Sequence, residues 1–501
     1  MKSFLYSLLL FVLTLSLYSQ EKDVLRWAAD AESGAPYVFQ DPRIPTKLIG
    51  FEVDIINAIS KELEIDNKHF QNQWDGLIPG LKRNDYDLAI NGLEITEDRK
   101  KEVAFSIPYY ITFQQIVVRV DSKDIEDLNG LEDKIVGTLK GSLAERILKE
   151  HGNIKVKTYD SEASSYEDLK NRRLDAVLID EPVAKYYAGW NPALKLTGEP
   201  IGEVVYGIVM RKQDTLLHTR INTAITKLIT SGKLREILEQ WDMWNYMVAL
   251  YLDDKSTSNI KPVKYEAFLE SRKTELSFDD YIERYISYMP ILGEAAITTI
   301  ILSILSMILA IVLGLIIALT RVYAPRPLSF LATLYIEVIR GTPLLIQLFF
   351  IYYALPSIGI NMDPFSAAIL GLGLNYSAYE AENYRAGLFS VPSGQMEAAV
   401  SLGMSRRQAL KHIIIPQAIR LVIPPVTNDF ISLLKDTSLV SVIAMAELTK
   451  RYLELSATYY DYIGTGIIVA IIYLIIGLPF VKLSKYLEKH YSLDKKKSKS
   501  F

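Results

Sequence analysis

The sequence predicts an α/β domain followed by an all-α membrane domain, and three observations carry that reading. Short apolar strands alternate with amphipathic helices from Asp23 to Met247, and near-continuous apolar runs begin at Ile297. The average composition suits neither a soluble nor a membrane protein: of 501 residues, 50% are hydrophobic and 23% charged, with a mean hydropathy of only +0.13. Two unlike halves in one chain give such an average. A net charge of −4 gives no support to nucleic-acid binding through a basic surface. The absence of cysteine removes disulfides, thiolate metal sites, cysteine nucleophiles and a lipidated N-terminal cysteine. The five histidines are scattered, so no metal site and no catalytic centre is expected.

In chain order, Lys2 and the apolar run Phe4–Leu17 form a signal peptide over 1–20, because the run is short for a bilayer span of about 20 residues. The α/β domain then occupies 21–248. Its strands are read at Val24–Ala28, Asp87–Ile90, Lys134–Gly137 and Asp175–Ile179, and its helices include Val53–Leu63 and Leu143–His151. A charged linker, 249–284, is helical around Tyr265–Lys273. The membrane domain, 285–488, holds about five spans: Ile297–Leu319, Leu328–Ala354, Pro364–Leu388, Leu421–Ala446 and Ile463–Leu483. A basic cytoplasmic tail, 489–501, closes the chain. With the α/β domain outside, the basic loops fall inside, and only Lys450 and Arg451 are discordant. Polar residues within spans are costly and mark a pathway or an interhelical pair. Asn375, Glu380, Asn428 and Asp436 are the pathway candidates, while pairing such as Glu382 with Arg385 accounts for such residues equally well. Gly371 and Gly373 read as close helix packing.

Glu397-Ala398-Ala399, three residues, Gly403, nine residues and Ile413-Ile414-Ile415-Pro416 resemble the Glu-Ala-Ala loop of ABC-importer permeases. That loop, placed at 391–416, is expected as two short helices turning at Gly403 and docking on an ATPase subunit. Arg340–Phe349 and Leu433–Ile443 are similar to further signatures of polar amino-acid importer permeases of type I. Over 23–247, Gly50–Asp54, Trp74–Pro79, Asn91–Thr96 with Arg99, Pro108–Tyr110, Lys140–Ser142 and Asp180–Val183 resemble the bilobal periplasmic amino-acid-binding proteins. The resemblance implies that Arg99 takes a ligand carboxylate, helped by the Gly92, Ser142 and Leu143 amides, with Asp180 on the ammonium, Trp74 over the aliphatic part, and Asn91 and Glu94 also in the binding set. Taken singly, Arg99 reads as a surface charge, Asp180 as an N-cap and Trp74 as core packing. Glu94 stands where that family has a hydroxyl, and Gly34 where it has an aromatic ring. A carboxylate at 94 would repel the ligand's own unless protonated or turned away, or would meet a cationic side chain.

These resemblances imply a fused substrate-binding and permease subunit of an ATP-driven amino-acid importer, multi-pass in a bacterial inner membrane with its binding domain periplasmic. No Walker sequence occurs, so ATP and Mg2+ belong to a partner ATPase and the chain is not an enzyme. A homodimer through the permease domain completes the path. The rival readings are a ligand-gated receptor or sensor on the same bilobal domain, and an enzyme with Glu94 as its acid or base.

Overall fold

The computed structural model describes residues 24–31, 35–257, 259–273, 277–459 and 461–491. The expected signal peptide, Gly34 and all but the start of the basic tail lie outside the described residues. The chain divides into two compact units, Met1–Glu275 and Leu276–Phe501.

The first unit has twelve strands among its described residues: β1 (Val24–Ala29), β2 (Phe39–Asp41), β3 (Ile44–Ile49), β4 (Asp66–Gln71), β5 (Leu88–Ala89), β6 (Ala104–Phe105), β7 (Tyr110–Arg119), β8 (Ile135–Leu139), β9 (Lys155–Tyr159), β10 (Ala176–Asp180), β11 (Leu194–Tyr206) and β12 (Val209–Met210). They make two five-stranded sheets, β4-β1-β5-β12-β6 and β11-β7-β10-β8-β9, and a β2–β3 hairpin. Each large sheet has a parallel centre and antiparallel members: β1 runs parallel to β4 and β5, and β10 parallel to β8 but antiparallel to β7. Each also has its own core, Ala28, Leu77, Leu81 and Val209 in one, Ile116, Val136, Leu148 and Leu178 in the other. Two cores mean two lobes. The chain crosses between them twice, through Ser106–Tyr109 and Tyr206–Ile208. These crossings are paired by Ser106 N–H to Ile208 O (2.8 Å) and Tyr109 N–H to Tyr206 O (3.2 Å), a two-strand hinge.

The linker is helical where expected, and its helix packs on the α/β unit rather than lying free. It contains the helix Val263–Lys273, and the next helix already starts at Phe278. Phe268 is 4% exposed, packed edge-on to Phe39 of the first lobe and 4.8 Å, centroid to centroid, from Tyr186 of the second. Lys264 reaches Asp54 at 2.5 Å. Among the described residues of this helix only Phe268 is buried, and one buried residue among flanking charges leaves a weak periodic signal, which is why the segment read as linker.

In the second unit, three helices among the described residues are long and apolar enough to cross a membrane, four if one bent pair counts as a span. The first, Phe278–Tyr323, has 46 residues, about 70 Å by its rise per residue, and contains the expected first span. A Ser277–Asp280 capping box opens it. The second expected span is broken: Arg326–Gly341 and Leu344–Ala354 meet at 106°. Pro343 explains the break, because it holds Thr342 extended (φ −117°, ψ 144°) and donates no hydrogen bond. Gln347 replaces the missing donor, giving its Nε2 hydrogens to Ile339 O (2.8 Å) and Thr342 O (3.2 Å). The third, Pro364–Phe389, is a helix of 26 residues with a largely buried polar set and falls outside the apolar class. Gly371 and Gly373 lie against Leu348 and Leu309, where added Cβ atoms would approach to 2.6 Å in both cases. The fifth expected span lies within Tyr462–Tyr491.

The loop at 391–416 differs from two short helices. Ser393–Ser401 is short, and Gly403 turns the chain at φ +85°. The second helix, however, runs unbroken from Arg406 to Ile443 into the fourth span. A π turn at Leu410–Ile414 directly precedes Pro416, widening the helix where the proline ring needs room. The discordant Lys450 and Arg451 are not loop charges: they lie on the helix Leu448–Tyr459, Lys450 buried and Arg451 paired with Glu454. Phe268→Ala is expected to destabilise the binding unit by about 3 kcal/mol, read as an earlier unfolding transition of the full chain in calorimetry.

Candidate functional site

The cleft between the lobes collects side chains from β ends and helix starts. After β5, Asn91 and Gly92 turn the chain toward Glu94, which pairs as an isolated bridge with Tyr206 of the hinge. Thr96 caps the short helix carrying Arg99, accepting the Arg99 N–H at 3.2 Å. The guanidinium lies over the Trp74 ring, 4.9 Å from its centroid. Trp74 is fixed by Nε1–H to Asn91 O (2.9 Å) and by its own N–H to Asp30 (3.0 Å). Burial lowers the Arg99 pKa, with Glu94 opposing that shift.

Across the cleft, Ser142 starts the helix Leu143–His151 by accepting the Glu145 N–H at 3.3 Å. Its own N–H and hydroxyl both go to Leu139 O. The Ser142 side chain thus caps the helix, while its amide, expected to serve a ligand, turns back to Leu139 O at 3.4 Å. Gly92 is likewise engaged: its N–H donates to Glu52 Oε1 at 2.7 Å, which also accepts from Tyr109 at 2.5 Å. Burial pushes the Glu52 carboxyl up to about 7, with those two donors pulling it back. The Leu143 amide does reach the cleft, where it donates to Glu94 Oε1 at 2.6 Å.

Asp180 ends β10 and occupies an N-cap position without capping the helix Glu181–Ala188. Its carboxylate instead accepts from Gln114 Nε2 (2.5 Å), Tyr37 (3.4 Å) and Tyr206. Burial, then the Glu94 charge, raises its pKa to about 6. Asn91 Nδ2 and Gln114 Oε1, on buried side chains beside these residues, have no hydrogen-bond partner. Such orphaned groups are costly unless a ligand or water completes them. Sequence reasoning assigned no role to Arg146, Tyr37, Tyr206, Gln114 or Glu52. Arg146 reads as one more surface charge on an amphipathic helix, and the tyrosines meet Asp180 only through the fold.

In the membrane unit, Asn375 donates to Gln347 Oε1 at 3.0 Å, and Tyr376 donates to Asp436 at 2.7 Å. Glu380 is buried against Gly314, whose added Cβ would come within 2.7 Å of the Glu380 Cβ. Asn428 is exposed among half-buried neighbours of its helix. Glu382 pairs with Arg385 at 2.7 Å and with Arg321. On the turn, Glu397 and Ala398 are exposed, Ala399 is buried, and Leu402 is 84% exposed.

A two-lobed cleft joined to a helical membrane unit defines a solute-binding domain fused to a transport permease. The model for bacterial extracellular solute-binding proteins, family 3, matches residues 25–243, and that for the binding-protein-dependent transport system inner membrane component matches 310–493. The L-cystine transport system permease protein TcyB of Bacillus subtilis is 46% identical over 35% of this chain and 76% of its own length. The glutamine transport system permease protein GlnP of Escherichia coli is 37% identical over 41% of this chain and 94% of its own. An ancestral arginine-binding protein solved with arginine is 35% identical, covering 44% of this chain and 97% of its own, with a TM-score of 0.42. The chain belongs to the amino-acid ABC transporter permeases, in a form carrying a family 3 solute-binding domain.

Glu52 is more readily protonated when folded than in the unfolded chain. Its contribution is therefore greatest below the ordinary carboxylate range and is lost as pH rises through about 7. Glu52→Gln removes this dependence, so the stability of the natural protein relative to the variant is expected to fall between pH 4.5 and 7 in thermal melts.

Proposed function

We propose that this chain is the substrate-binding and permease subunit of an ATP-driven importer of a polar amino acid. The observation that carries the reading is one cleft holding the buried Asp180 carboxylate and the Arg99 guanidinium on the Trp74 face. An amino-acid zwitterion needs an anion for its ammonium and a guanidinium for its carboxylate. Asp180, Arg99 and the Leu143 amide would supply them, Trp74 would cover the carbon chain, and Asn91 would add its unpaired donor. Closure about the two-strand hinge would trap the ligand.

The binding unit would face the periplasm of an inner membrane, and the permease units of two copies would form the path. Asn375, Glu380 and Asp436 are the polar groups that would line it. A separate ATPase with its own ATP and Mg2+ would dock on the turn 391–416. There Leu402 presents an exposed apolar side chain next to the Gly403 turn, and docking would remove it from water.

The test is reconstitution with the cognate ATPase and measurement of labelled amino-acid uptake. Uptake is expected only with ATP, and uptake without nucleotide would argue for a channel or secondary carrier. Leu402→Asp is expected to weaken ATPase association by about 2 kcal/mol, roughly 30-fold, while ligand binding is retained. Ligand affinity should also fall as pH drops through about 6, where Asp180 loses its charge.

A further inference from the structure

Glu94 is 4% exposed and belongs to the first lobe, yet two of its bonds cross to the second. Its Oε1 accepts the Leu143 N–H at 2.6 Å, and its Oε2 accepts from Arg146 at 2.9 Å and from Arg99 of its own lobe at 3.1 Å. A guanidinium on an indole face, joined by a backbone amide at a helix start, is a receptor for a carboxylate. In this chain the carboxylate in that seat is the protein's own. Two further bonds cross at the same rim, Arg99 Nη2 to Gly141 O (3.3 Å) and Lys140 to Asp75 (3.3 Å). The Asp180 carboxylate is held differently, by Gln114 and two tyrosines of the chain, and among the described residues no cation of the protein is bonded to it there.

We propose that Glu94 is a tethered surrogate for the ligand's carboxylate: the empty cleft closes on it, and an incoming amino acid must displace it from Arg99 and Leu143. The proposal rests on the amino-acid reading above and adds what sets affinity. Glu94 weakens binding of every α-amino acid and rejects most strongly those with a second carboxylate, which would meet the displaced Glu94.

The chain contains no cysteine, so cysteines introduced at the exposed Lys61 and Glu150, one per lobe, place spin labels uniquely in the full chain. Inter-lobe distance and binding of arginine, lysine, histidine, glutamine and glutamate are measured for the natural residue, Glu94→Gln and Glu94→Thr. The expected result is a short ligand-free distance that lengthens in both variants, with amino-acid binding tightened about tenfold. The largest relative gain is expected for glutamate. Unchanged or weaker binding in the variants, or equal ligand-free distances in all three, overturns the proposal. If none of the five binds any of the three proteins, the amino-acid reading fails, and the distances alone then decide whether Glu94 holds the lobes.

Discussion

Everything in the binding unit depends on carboxylates buried between two lobes and matched by donors from elsewhere in the chain. A buried carboxylate without donors would take up a proton or draw in water. Glu94 is met by two guanidinium groups and an amide, Asp180 by a glutamine and two tyrosines, and Glu52 by a tyrosine and an amide. Most of these pairs join segments far apart in sequence, such as Glu52 with Tyr109 or Tyr37 with Asp180. Those at Glu52 stay within the first lobe and the hinge, whereas Leu143 and Arg146 to Glu94 and Tyr37 to Asp180 join one lobe to the other.

A related constraint governs the membrane unit, where backbone groups cannot be left to lipid. A proline leaves a helix one donor short, and the chain meets this differently at Pro343 and at Pro416. At Pro343 the helix breaks, and the Gln347 side chain serves the freed carbonyls. At Pro416 a π turn precedes the ring, and the helix continues from the turn at Gly403 into the long apolar helix. A push on Ser393–Ser401 would thus reach the helix Ile415–Asp436 through a short turn at Gly403 and one continuous helix, a stiff route from the surface to the bundle interior.

Much of this was legible in the sequence, and the exceptions have physical causes. Apolar periodicity located Leu143–His151, because burial of one face leaves a regular trace, and near-continuous apolar runs located the long helices. Ordered motifs drew attention to Trp74, Arg99 and Asp180. Periodicity does not report backbone breaks, so the bend at Thr342-Pro343 was read as one span. Nor does it report partner choice. The amides of Gly92 and Ser142 were expected to serve a ligand, and the fold instead commits them to Glu52 and Leu139. Lys450 and Arg451 look misplaced by charge counting, since only the folded helix shows Lys450 buried and Arg451 joined to Glu454.

Capture and transport in one chain form the central claim, and ligand-dependent stimulation of the partner ATPase tests it most directly. With the full chain and its ATPase in lipid nanodiscs, ATP hydrolysis should rise saturably as the bound amino acid is added, with a midpoint tracking its affinity for the cleft. Hydrolysis that ignores the ligand at concentrations filling the cleft, or an ion current on ligand addition without nucleotide, would contradict the account.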